Sequence, residues 1–417
     1  MANTLTAAAP SCRACGASLS RTFVDLGMSP LCQTQIHAKD LNHGEIFYPL
    51  HAYLCTACWL VQLEEYVSPS VIFSESYPYF SSFSDSWVDH ARRYVDQMQR
   101  EQGIGPNSFV VELASNDGYL LQHFVAAGVR CLGVEPTAGT AQAAIGKGIP
   151  TEVKFFGTAL AERLRAEKGA ADLVLGNNVL AHVPDLNDFV GGVARLLGPQ
   201  GFCTFEFPHL MRLMEFNQFD TIYHEHFSYF SLTAVSAVLA RHGLTMFDVE
   251  ELPTHGGSLR IYAQLAVSGR RALTPRVAGL IDREESEGVR DLATYDRFQG
   301  RVHATKRGLL RFLIGAREAS KTVVGYGAPG KGNTLLNYCG IGTDFLSYTV
   351  DRNPVKKGTW TPGTRIPILD PDEIARTRPD YVLILPWNLR EEIERKMAFV
   401  REWGGKFVVP IPAVEIS

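Results

Sequence analysis

The chain has 417 residues, with 40 lysines and arginines against 44 aspartates and glutamates, for a net charge of −4. Two or three domains fit this length, and a near-neutral charge offers no basic face for nucleic acid. No stretch approaches the roughly 20 apolar residues that span a bilayer, and no signal peptide is evident. We therefore expect a cytoplasmic, monomeric protein with neither nucleic-acid nor membrane partners.

Four of the eight cysteines form two Cys-x-x-Cys pairs, Cys12 with Cys15 and Cys55 with Cys58. Each pair can direct two thiolates at one point, and two pairs complete a tetrahedral zinc site. Cytoplasmic thiols stay reduced, and two pairs within one small region favour a metal over a redox motif. Because four thiolates leave no open position, we predict a structural zinc in a module over residues 1–70.

Aromatic rings alternate with serines in the segment from Tyr77 through Tyr79 and Ser81 to Ser84, just before a predicted helix from Trp87 to Gln102. Such a loop suits a sugar or nucleotide site. The same rings are equally compatible with packing in the protein core.

Residues 109–136 read as a strand, a turn, a helix and a second strand. Phe109–Val111 are apolar β-formers, residues 114–118 make a turn of small side chains, and Tyr119 opens a helix. The second strand, Leu132–Val134, ends in Glu135, whose carboxylate can accept both hydroxyls of a ribose. This order is typical of a nucleoside-binding βαβ unit, although an ordinary βαβ turn remains an alternative.

Two cofactors compete for this unit. A dinucleotide pyrophosphate needs bare glycine backbone, but Ala114 and Asn116 stand where two glycines would be, and Glu112 precedes the turn. These residues suit a sulfonium cation with an amino-acid tail better than a diphosphate. The stretch resembles motif I of the class I S-adenosylmethionine methyltransferases, Glu-x-Gly-x-Gly-x-Gly, of which Gly118 alone is retained.

The next elements continue this resemblance. The strand Asp172–Leu175 ends in Asn177 and Asn178 and resembles motif IV of the superfamily, while Phe155 or Phe156 stands where those enzymes cover the adenine. Further predicted elements are helices at 139–146, 160–167 and 186–197 and strands at 202–207, 245–250 and 259–265, with a turn at 198–201. The last two strands form a hairpin that supplies the reversed final strand. The fold class is therefore predicted as α/β, with a class I seven-stranded Rossmann-like sheet over residues 71–268. The predicted cofactor contacts are Glu112, Ala114, Ser115, Asn116, Asp117, Gly118, Glu135, Pro136, Phe156, Asn177 and Asn178.

A second α/β domain is predicted over residues 269–417. After charged helices at 276–287 and 298–318, the sequence from Gly325 to Gly330 matches Gly-x-Gly-x-x-Gly, and Asp351 ends the next strand. Clustered amides at a helix start, together with Lys331, attract anions. An oxidoreductase that binds NAD(P) here is one rival, and a non-enzymatic or RNA-directed zinc protein is a second. Strands at 348–350, 381–385 and 407–409 complete a small parallel sheet.

An insert from Pro208 to Tyr229 carries Tyr223-His224-Glu225-His226. It lacks the His-x-x-x-His spacing of a helical metal site, while buried structural histidines remain possible. C-methylation needs a base beside a carbonyl and donors for the enolate oxygen, and this cluster with His182 offers both.

The zinc module, the altered motif I, Tyr-His-Glu-His-Phe-Ser-Tyr, His-Gly-Gly-Ser-Leu-Arg and Gly-Tyr-Gly-Ala-x-Gly-Lys-Gly-Asn-Thr occur in this order along nearly the whole chain. Together they resemble the sugar-nucleotide C-methyltransferases of deoxysugar pathways, in particular the C-3' methyltransferases acting on a dTDP-3-amino-4-keto-2,3,6-trideoxyhexose.

The resemblance implies an active site between the three domains, with His226 as base and Tyr223, Tyr77 and His182 around the sugar and its enolate oxygen. Glu225 would position the sugar or its amine. Further substrate contacts are assigned to Tyr79, Ser81, His255, Lys331 and Asn333. Methylation at C-5, or on oxygen or nitrogen of an amino sugar, remains an alternative.

Overall fold

The computed structural model describes residues 10–73 and 80–417, so Tyr77 and Tyr79 lie outside the described residues. The chain divides into two compact units. The first unit comprises Met1–Ser20, Cys55–His209 and Phe227–Arg290, and the second comprises Arg21–Leu54, Leu210–His226 and Asp291–Ser417. Both units are discontinuous in sequence, whereas the predicted domains are continuous; the predicted bounds 1–70, 71–268 and 269–417 stay a prediction.

In chain order the strands are β1 (Arg21–Ser29), β2 (Tyr48–Leu54), β3 (Val61–Leu63), β4 (Phe109–Leu113), β5 (Arg130–Val134), β6 (Thr151–Glu152), β7 (Ala171–Asn177), β8 (Leu197–Pro208), β9 (Ser228–Tyr229), β10 (Leu244–Leu252), β11 (Ser258–Leu265), β12 (Val323–Tyr326), β13 (Thr349–Val350), β14 (Thr359–Trp360), β15 (Pro367–Leu369), β16 (Tyr381–Ile384), β17 (Lys406–Val409) and β18 (Glu415–Ile416). The α-helices are α1 (Pro69–Ile72), α2 (Asp85–Gln102), α3 (Leu121–Ala126), α4 (Ala138–Gly146), α5 (Thr158–Lys168), α6 (Leu186–Leu196), α7 (Leu210–Glu215), α8 (Leu232–Arg241), α9 (Pro275–Ser286), α10 (Leu292–Glu318), α11 (Gly330–Cys339), α12 (Asp372–Thr377) and α13 (Arg390–Lys396).

The first unit is built on a seven-stranded sheet of order β10-β11-β8-β7-β4-β5-β6. Strands β4 to β8 run parallel, and β11 is antiparallel to both of its neighbours. All five residues of β4 are buried, as expected of a central parallel strand covered on both faces. The predicted seven-stranded class I sheet with a reversed final strand is thus confirmed.

Some element boundaries differ from the prediction. Helix α3 begins at Leu121 rather than Tyr119. The predicted turn at 198–201 lies inside β8, because Leu197 already pairs with Ala171 and the register then moves to Leu173 with Phe202. The extra residues of β8 interrupt its regular pairing with β7.

The second unit contains a seven-stranded sheet of order β14-β15-β13-β12-β16-β17-β18. Its five inner strands are parallel, confirming the predicted parallel sheet, and short antiparallel strands flank both edges. Val324, Val350, Val382 and Phe407 are among the buried residues of its core. The second unit also holds the antiparallel pair β1 and β2.

None of the helices in residues 10–73 and 80–417 is both long enough and apolar enough to cross a membrane.

Candidate active site

The four paired cysteines form one cluster in the first unit. The Cys12 and Cys58 sulfurs are 3.6 Å apart, those of Cys15 and Cys55 are 3.5 Å apart, and all four lie within 4.8 Å of one another. A tetrahedron with Zn–S bonds of about 2.3 Å has S···S edges of about 3.8 Å. The geometry therefore fits the predicted four-cysteine site.

Local turns position these thiols. Each pair begins a tight turn, in which Gly16 N–H donates to the Cys12 carbonyl and Trp59 N–H donates to the Cys55 carbonyl. The Gln62 amide donates to the Cys12 sulfur at 3.1 Å. The pKa of Cys12 is lowered to about 4 because the Cys58 thiol and Gln62 donate to its sulfur, although burial opposes this. A thiolate at Cys12 is the form that binds a metal.

The turn after β4 has an unusual backbone. Ala114, Asn116 and Gly118 all have left-handed conformations, with φ of 53°, 51° and 76°. A Cβ on Gly118 would lie 2.3 Å from the Ile149 side chain, so this glycine is required by space as well as by φ. Asn tolerates this conformation, whereas Ala adopts it at a cost of about 1–2 kcal/mol. Ala114 and Asn116 thus adopt left-handed conformations at two positions where the motif has glycine, and Gly118 keeps the third.

At the ends of β4 and β7, several buried polar side-chain atoms have no hydrogen-bond partner among the described residues. Over the described part of the chain, Glu112 Oε2, Ser115 Oγ, Asn178 Oδ1 and both amide atoms of Asn177 are buried and lack a hydrogen-bond partner. Buried polar groups are normally paired, so such a group of unpaired atoms calls for a ligand. These carboxylate, hydroxyl and amide groups include both acceptors and donors, which suits the ammonium, carboxylate and hydroxyl groups of S-adenosylmethionine.

Glu112 is electrostatically distinctive. Burial, followed by the nearby carboxylates of Glu135 and Asp117, raises the pKa of Glu112 well above its usual range. A cation placed beside it would restore the carboxylate form. The site is therefore suited to the amino group or sulfonium of the cofactor.

Glu135 is held at the tip of β5. Its carboxylate accepts hydrogen bonds from the Asn116 N–H at 2.9 Å, from the Thr137 N–H at 2.8 Å and from the Thr137 hydroxyl. A carboxylate has about four acceptor positions, so these bonds fix its orientation and leave capacity for a ribose hydroxyl. Pro136 follows directly, and Phe156 makes an edge contact with Phe189 at 5.4 Å.

The described residues of the serine-rich segment before α2 contact the turn at residues 114–118. Ser81 N–H donates to Asn116 Oδ1 at 2.8 Å, and the Ser82 hydroxyl donates to the Asp117 carboxylate. Lys147 also contacts this carboxylate, at 3.1 Å. Ser81 is buried and acts through its backbone, which ties the loop to the turn.

A buried carboxylate that sequence reasoning missed, Glu206 on β8, links several elements of the first unit. It contacts His90 at 2.8 Å, Arg260 at 2.9 Å and the Thr254 hydroxyl at 2.9 Å. Burial raises the pKa of Glu206, but the bonds to His90 and Arg260 outweigh burial and leave it lowered. Its carbonyl accepts from Asn178 N–H at 2.7 Å, so the network reaches the predicted cofactor residues. The sequence did contain one indication of this network, because Arg260, the partner of Glu206, ends the motif His-Gly-Gly-Ser-Leu-Arg.

His255, assigned to the substrate by resemblance, follows Thr254 in a short 3₁₀ turn. It has φ of 55°, and its ring makes an edge contact with Trp87 at 5.2 Å. His182, also in the first unit, ends a 3₁₀ turn and contacts the Phe73 ring edge-on at 5.7 Å. The structure thus gives both imidazoles defined positions within the first unit.

The predicted base His226 belongs to the second unit together with Tyr223 and Glu225. His226 Nδ1 lies 3.0 Å from the Thr221 carbonyl oxygen, and the Tyr223 and His226 rings are 4.0 Å apart. Because a carbonyl only accepts, this bond places the hydrogen on Nδ1 and the basic lone pair on Nε2. Glu225 is 4% exposed, and the Cys32 thiol lies 3.7 Å from its Oε1.

His224 has a structural environment. Its Nε2 donates to the Pro49 carbonyl at 3.1 Å, and its ring contacts Tyr48 edge-on. Burial lowers the pKa of His224, so the neutral ring is favoured.

Lys331 and Asn333 lie at the start of α11 in the second unit. Lys331 Nζ donates to Asn388 Oδ1 at 2.8 Å and sits 4.4 Å from the centre of the Trp387 ring. Burial lowers the pKa of Lys331, with Asp220 opposing. Asn333 donates to the Cys32 carbonyl at 2.6 Å, while its own Oδ1 is buried and has no partner in the described residues.

Comparison with known proteins agrees with this architecture. Three family models match the chain: "Putative zinc binding domain" over residues 12–73, "Methyltransferase domain" over 88–249 and "C-methyltransferase C-terminal domain" over 253–412. The sheet order and these matches define a class I S-adenosylmethionine-dependent methyltransferase with an N-terminal four-cysteine zinc module and a C-terminal α/β domain.

The C-methyltransferase NovU of Streptomyces niveus is 37% identical over 401 residues, which cover 96% of this chain and 95% of that protein. The chain belongs to the NovU-like C-methyltransferase family.

Solved structures of other proteins resemble this chain with lower sequence identity than NovU does. A magnesium protoporphyrin IX methyltransferase from Synechocystis PCC 6803 is 16% identical, with a TM-score of 0.34 over 43% of this chain and 81% of that chain. The PH0226 protein from Pyrococcus horikoshii OT3 is 16% identical, with a TM-score of 0.37 over 49% of this chain and 99% of that chain. The fold assignment rests on the sheet order and the family models.

Proposed function

We propose that this protein methylates C-3' of a dTDP-3-amino-2,3,6-trideoxy-4-keto-hexose in the biosynthesis of deoxysugars for antibiotics. Its membership of the C-methyltransferase family supports transfer to carbon. The motif order over nearly the full chain supports the sugar nucleotide. Within the site, the proposal is carried by one observation, the 3.0 Å contact between His226 Nδ1 and the Thr221 carbonyl.

The residues at the ends of β4, β5 and β7 would hold S-adenosylmethionine. We assign the amino-acid tail to Glu112, Ser115 and Asn177, whose buried side-chain atoms lack partners in residues 10–73 and 80–417. Glu135 would accept from the ribose, and Phe156 would cover the adenine. When bound, this cofactor supplies a methyl group on positively charged sulfur that a nucleophilic carbon can take.

His226 would act as the general base. With its hydrogen on Nδ1, the ring takes a proton from C-3 of the sugar at Nε2, and the C–H electron pair shifts toward the neighbouring carbonyl. Negative charge then develops on the carbonyl oxygen, so the enolate needs hydrogen-bond donors. We assign that role to Tyr223 and His182, with Tyr77 as a further contact.

The sugar and the dTDP group of the substrate would be bound by different residues. Glu225, a buried carboxylate two residues from Tyr223, would take the amino substituent, with His255 as a further sugar contact. The start of α11, with Lys331 and Asn333, would contact the dTDP group, and Tyr79 and Ser81 belong to the loop assigned to the substrate. The four-cysteine cluster would hold a structural zinc, because four thiolates complete its coordination.

The decisive experiment incubates the protein with S-adenosylmethionine and dTDP-4-keto sugars that differ in their C-3 substituent, and locates the new methyl by NMR. We expect a C-methyl at C-3 with the 3-amino sugar as the best substrate. A methyl at C-5 would preserve the chemistry and change the regiochemistry. A methyl on oxygen or nitrogen would refute the proposal.

A further inference from the structure

The segment that precedes the proposed base is anchored at three points within the second unit. The Phe219 ring contacts Tyr338 edge-on at 5.4 Å, and Asp220 Oδ2 accepts from the Trp387 indole N–H at 2.7 Å. The Ile222 carbonyl accepts from the Thr334 hydroxyl at 3.2 Å. These anchors flank Thr221, the residue whose carbonyl contacts His226.

The Asp220 anchor is costly to bury. Asp220 is fully buried, and its Oδ1 lacks a hydrogen-bond partner among the described residues. Burial raises the pKa of Asp220 to about 6, while Lys331 and the Trp387 indole favour its charged form. Folding alone would be served as well by an apolar residue here, because a buried charge stabilises weakly after desolvation. The unfavourable burial of this carboxylate therefore indicates that Asp220 is needed to hold the adjacent backbone in place.

The position of Thr221 has a chemical consequence. Without its carbonyl at Nδ1, neutral imidazole can carry its hydrogen on either nitrogen. The Nε2–H form would present a donor where the proposed reaction needs a base. The Thr221 carbonyl can hold His226 in its Nδ1–H form only if the Thr221 backbone is fixed. Asp220 precedes Thr221 in the chain, so its anchored side chain can provide this.

We infer that Asp220 and Trp387 are positioning residues, whose hydrogen bond holds the Thr221 carbonyl where it keeps the hydrogen of His226 on Nδ1. The inference rests on the proposed role of His226 as base. Neither Asp220 nor Trp387 needs to touch the substrate, and Lys331 serves here as a counter-charge for Asp220.

The test combines histidine tautomer NMR with kinetics. The protein is labelled with ¹⁵N-histidine, and the signals of His226 are identified by their absence in His226→Gln. Trp387→Phe and Asp220→Leu remove the hydrogen bond from its two sides, whereas Asp220→Asn keeps an acceptor. Trp403→Phe is the matched control, because that indole donates to the Pro379 carbonyl at 3.0 Å elsewhere in the same unit.

We expect the Nδ1–H form in the unaltered protein, in Asp220→Asn and in Trp403→Phe. Trp387→Phe and Asp220→Leu should show the Nε2–H form as well. In these two variants kcat should fall at least about tenfold, as for a misplaced general base. The KM for S-adenosylmethionine should change by less than about twofold, because cofactor binding is separate from proton transfer.

An Nε2–H ring in the unaltered protein, or an unchanged Nδ1–H ring in both bond-removing variants, would overturn the inference. Should one of those variants fail to fold, the other still decides. The spectra need no substrate, so they separate this inference from the proposed function. Continued C-methylation by His226→Gln would remove the base assignment independently of the tautomer.

Discussion

His209 and Glu284 form a buried pair in the first unit, with His209 Nε2 2.6 Å from Glu284 Oε1. The same carboxylate accepts from the Leu232 N–H at 2.6 Å, from the Thr233 N–H at 2.8 Å and from the Thr233 hydroxyl at 2.7 Å. Glu284 on α9 therefore binds the start of α8 to the residue that follows β8. No role for His209 or Glu284 was predicted from the sequence.

We expect Glu284→Gln to lower the free energy of unfolding by about 2–4 kcal/mol, because an amide cannot accept all four bonds and leaves donors buried. Urea unfolding measures the loss. Glu285→Gln, at an exposed position of the same helix, is the control and should change stability by less than about 0.5 kcal/mol. Equal stability of the two variants would contradict the role of Glu284.

The cost of Glu284→Gln should depend on pH. Burial raises the pKa of Glu284, but the donors His209 and Thr233 outweigh burial and leave the pKa below its reference value of 4.5. The unfolded state therefore binds the proton first as pH falls. The stabilisation is complete above pH 4.5 and is lost as pH falls through the lowered pKa. The difference in free energy of unfolding between the unaltered protein and Glu284→Gln, measured in urea, should therefore shrink below pH 4.5. A difference that stays constant with pH would refute this linkage.

Zinc content should be near one per chain, as measured by elemental analysis of the purified protein. Cys12→Ser and Cys55→Ser each remove one of four ligands and should lose the metal and lower the melting temperature. Cys131→Ala changes a buried thiol of β5 outside the cluster and should keep the metal. Full zinc in both ligand variants would refute this ligand set.

S-adenosylmethionine should bind more tightly as pH rises. The pKa of Glu112 is raised by burial and by Glu135 and Asp117, so the empty site favours the protonated acid, whereas a cationic ligand favours the carboxylate. Calorimetry across pH should show proton release on binding. Glu112→Gln should bind more weakly with a flatter pH dependence; an unchanged slope in that variant would assign the effect to another group.

His226→Gln should lower kcat by about 10²–10⁴-fold, because it removes a general base. In D2O without S-adenosylmethionine, the unaltered protein should exchange the C-3 proton of the keto sugar, and the variant should not. His224→Gln is the neighbouring control, since glutamine can still donate to the Pro49 carbonyl that His224 contacts. Normal exchange in His226→Gln would move the base to another residue.

Much of the fold was predictable because it is written in local patterns. The class I sheet is predicted by the apolar run at Phe109–Val111, by the acid Glu135 and by the hairpin around residues 254–258. The four cysteines predict their cluster from spacing alone. Strand β1 and the early start of β8 at Leu197 were missed, since pairing with a neighbouring strand and not a local pattern defines both.

The sequence by itself determined the class of protein, the cysteines that form the cluster and the segment that carries the proposed base. These three features could be predicted because they depend on residues close together in the chain, and sequence periodicities and turn residues report such local conformation. Tertiary structure decided which atoms around Glu112 and Asn177 have no partner among the described residues, and which carbonyl contacts His226. Those depend on burial and on contacts such as Asp220 with Trp387, which are 167 residues apart and leave no local pattern.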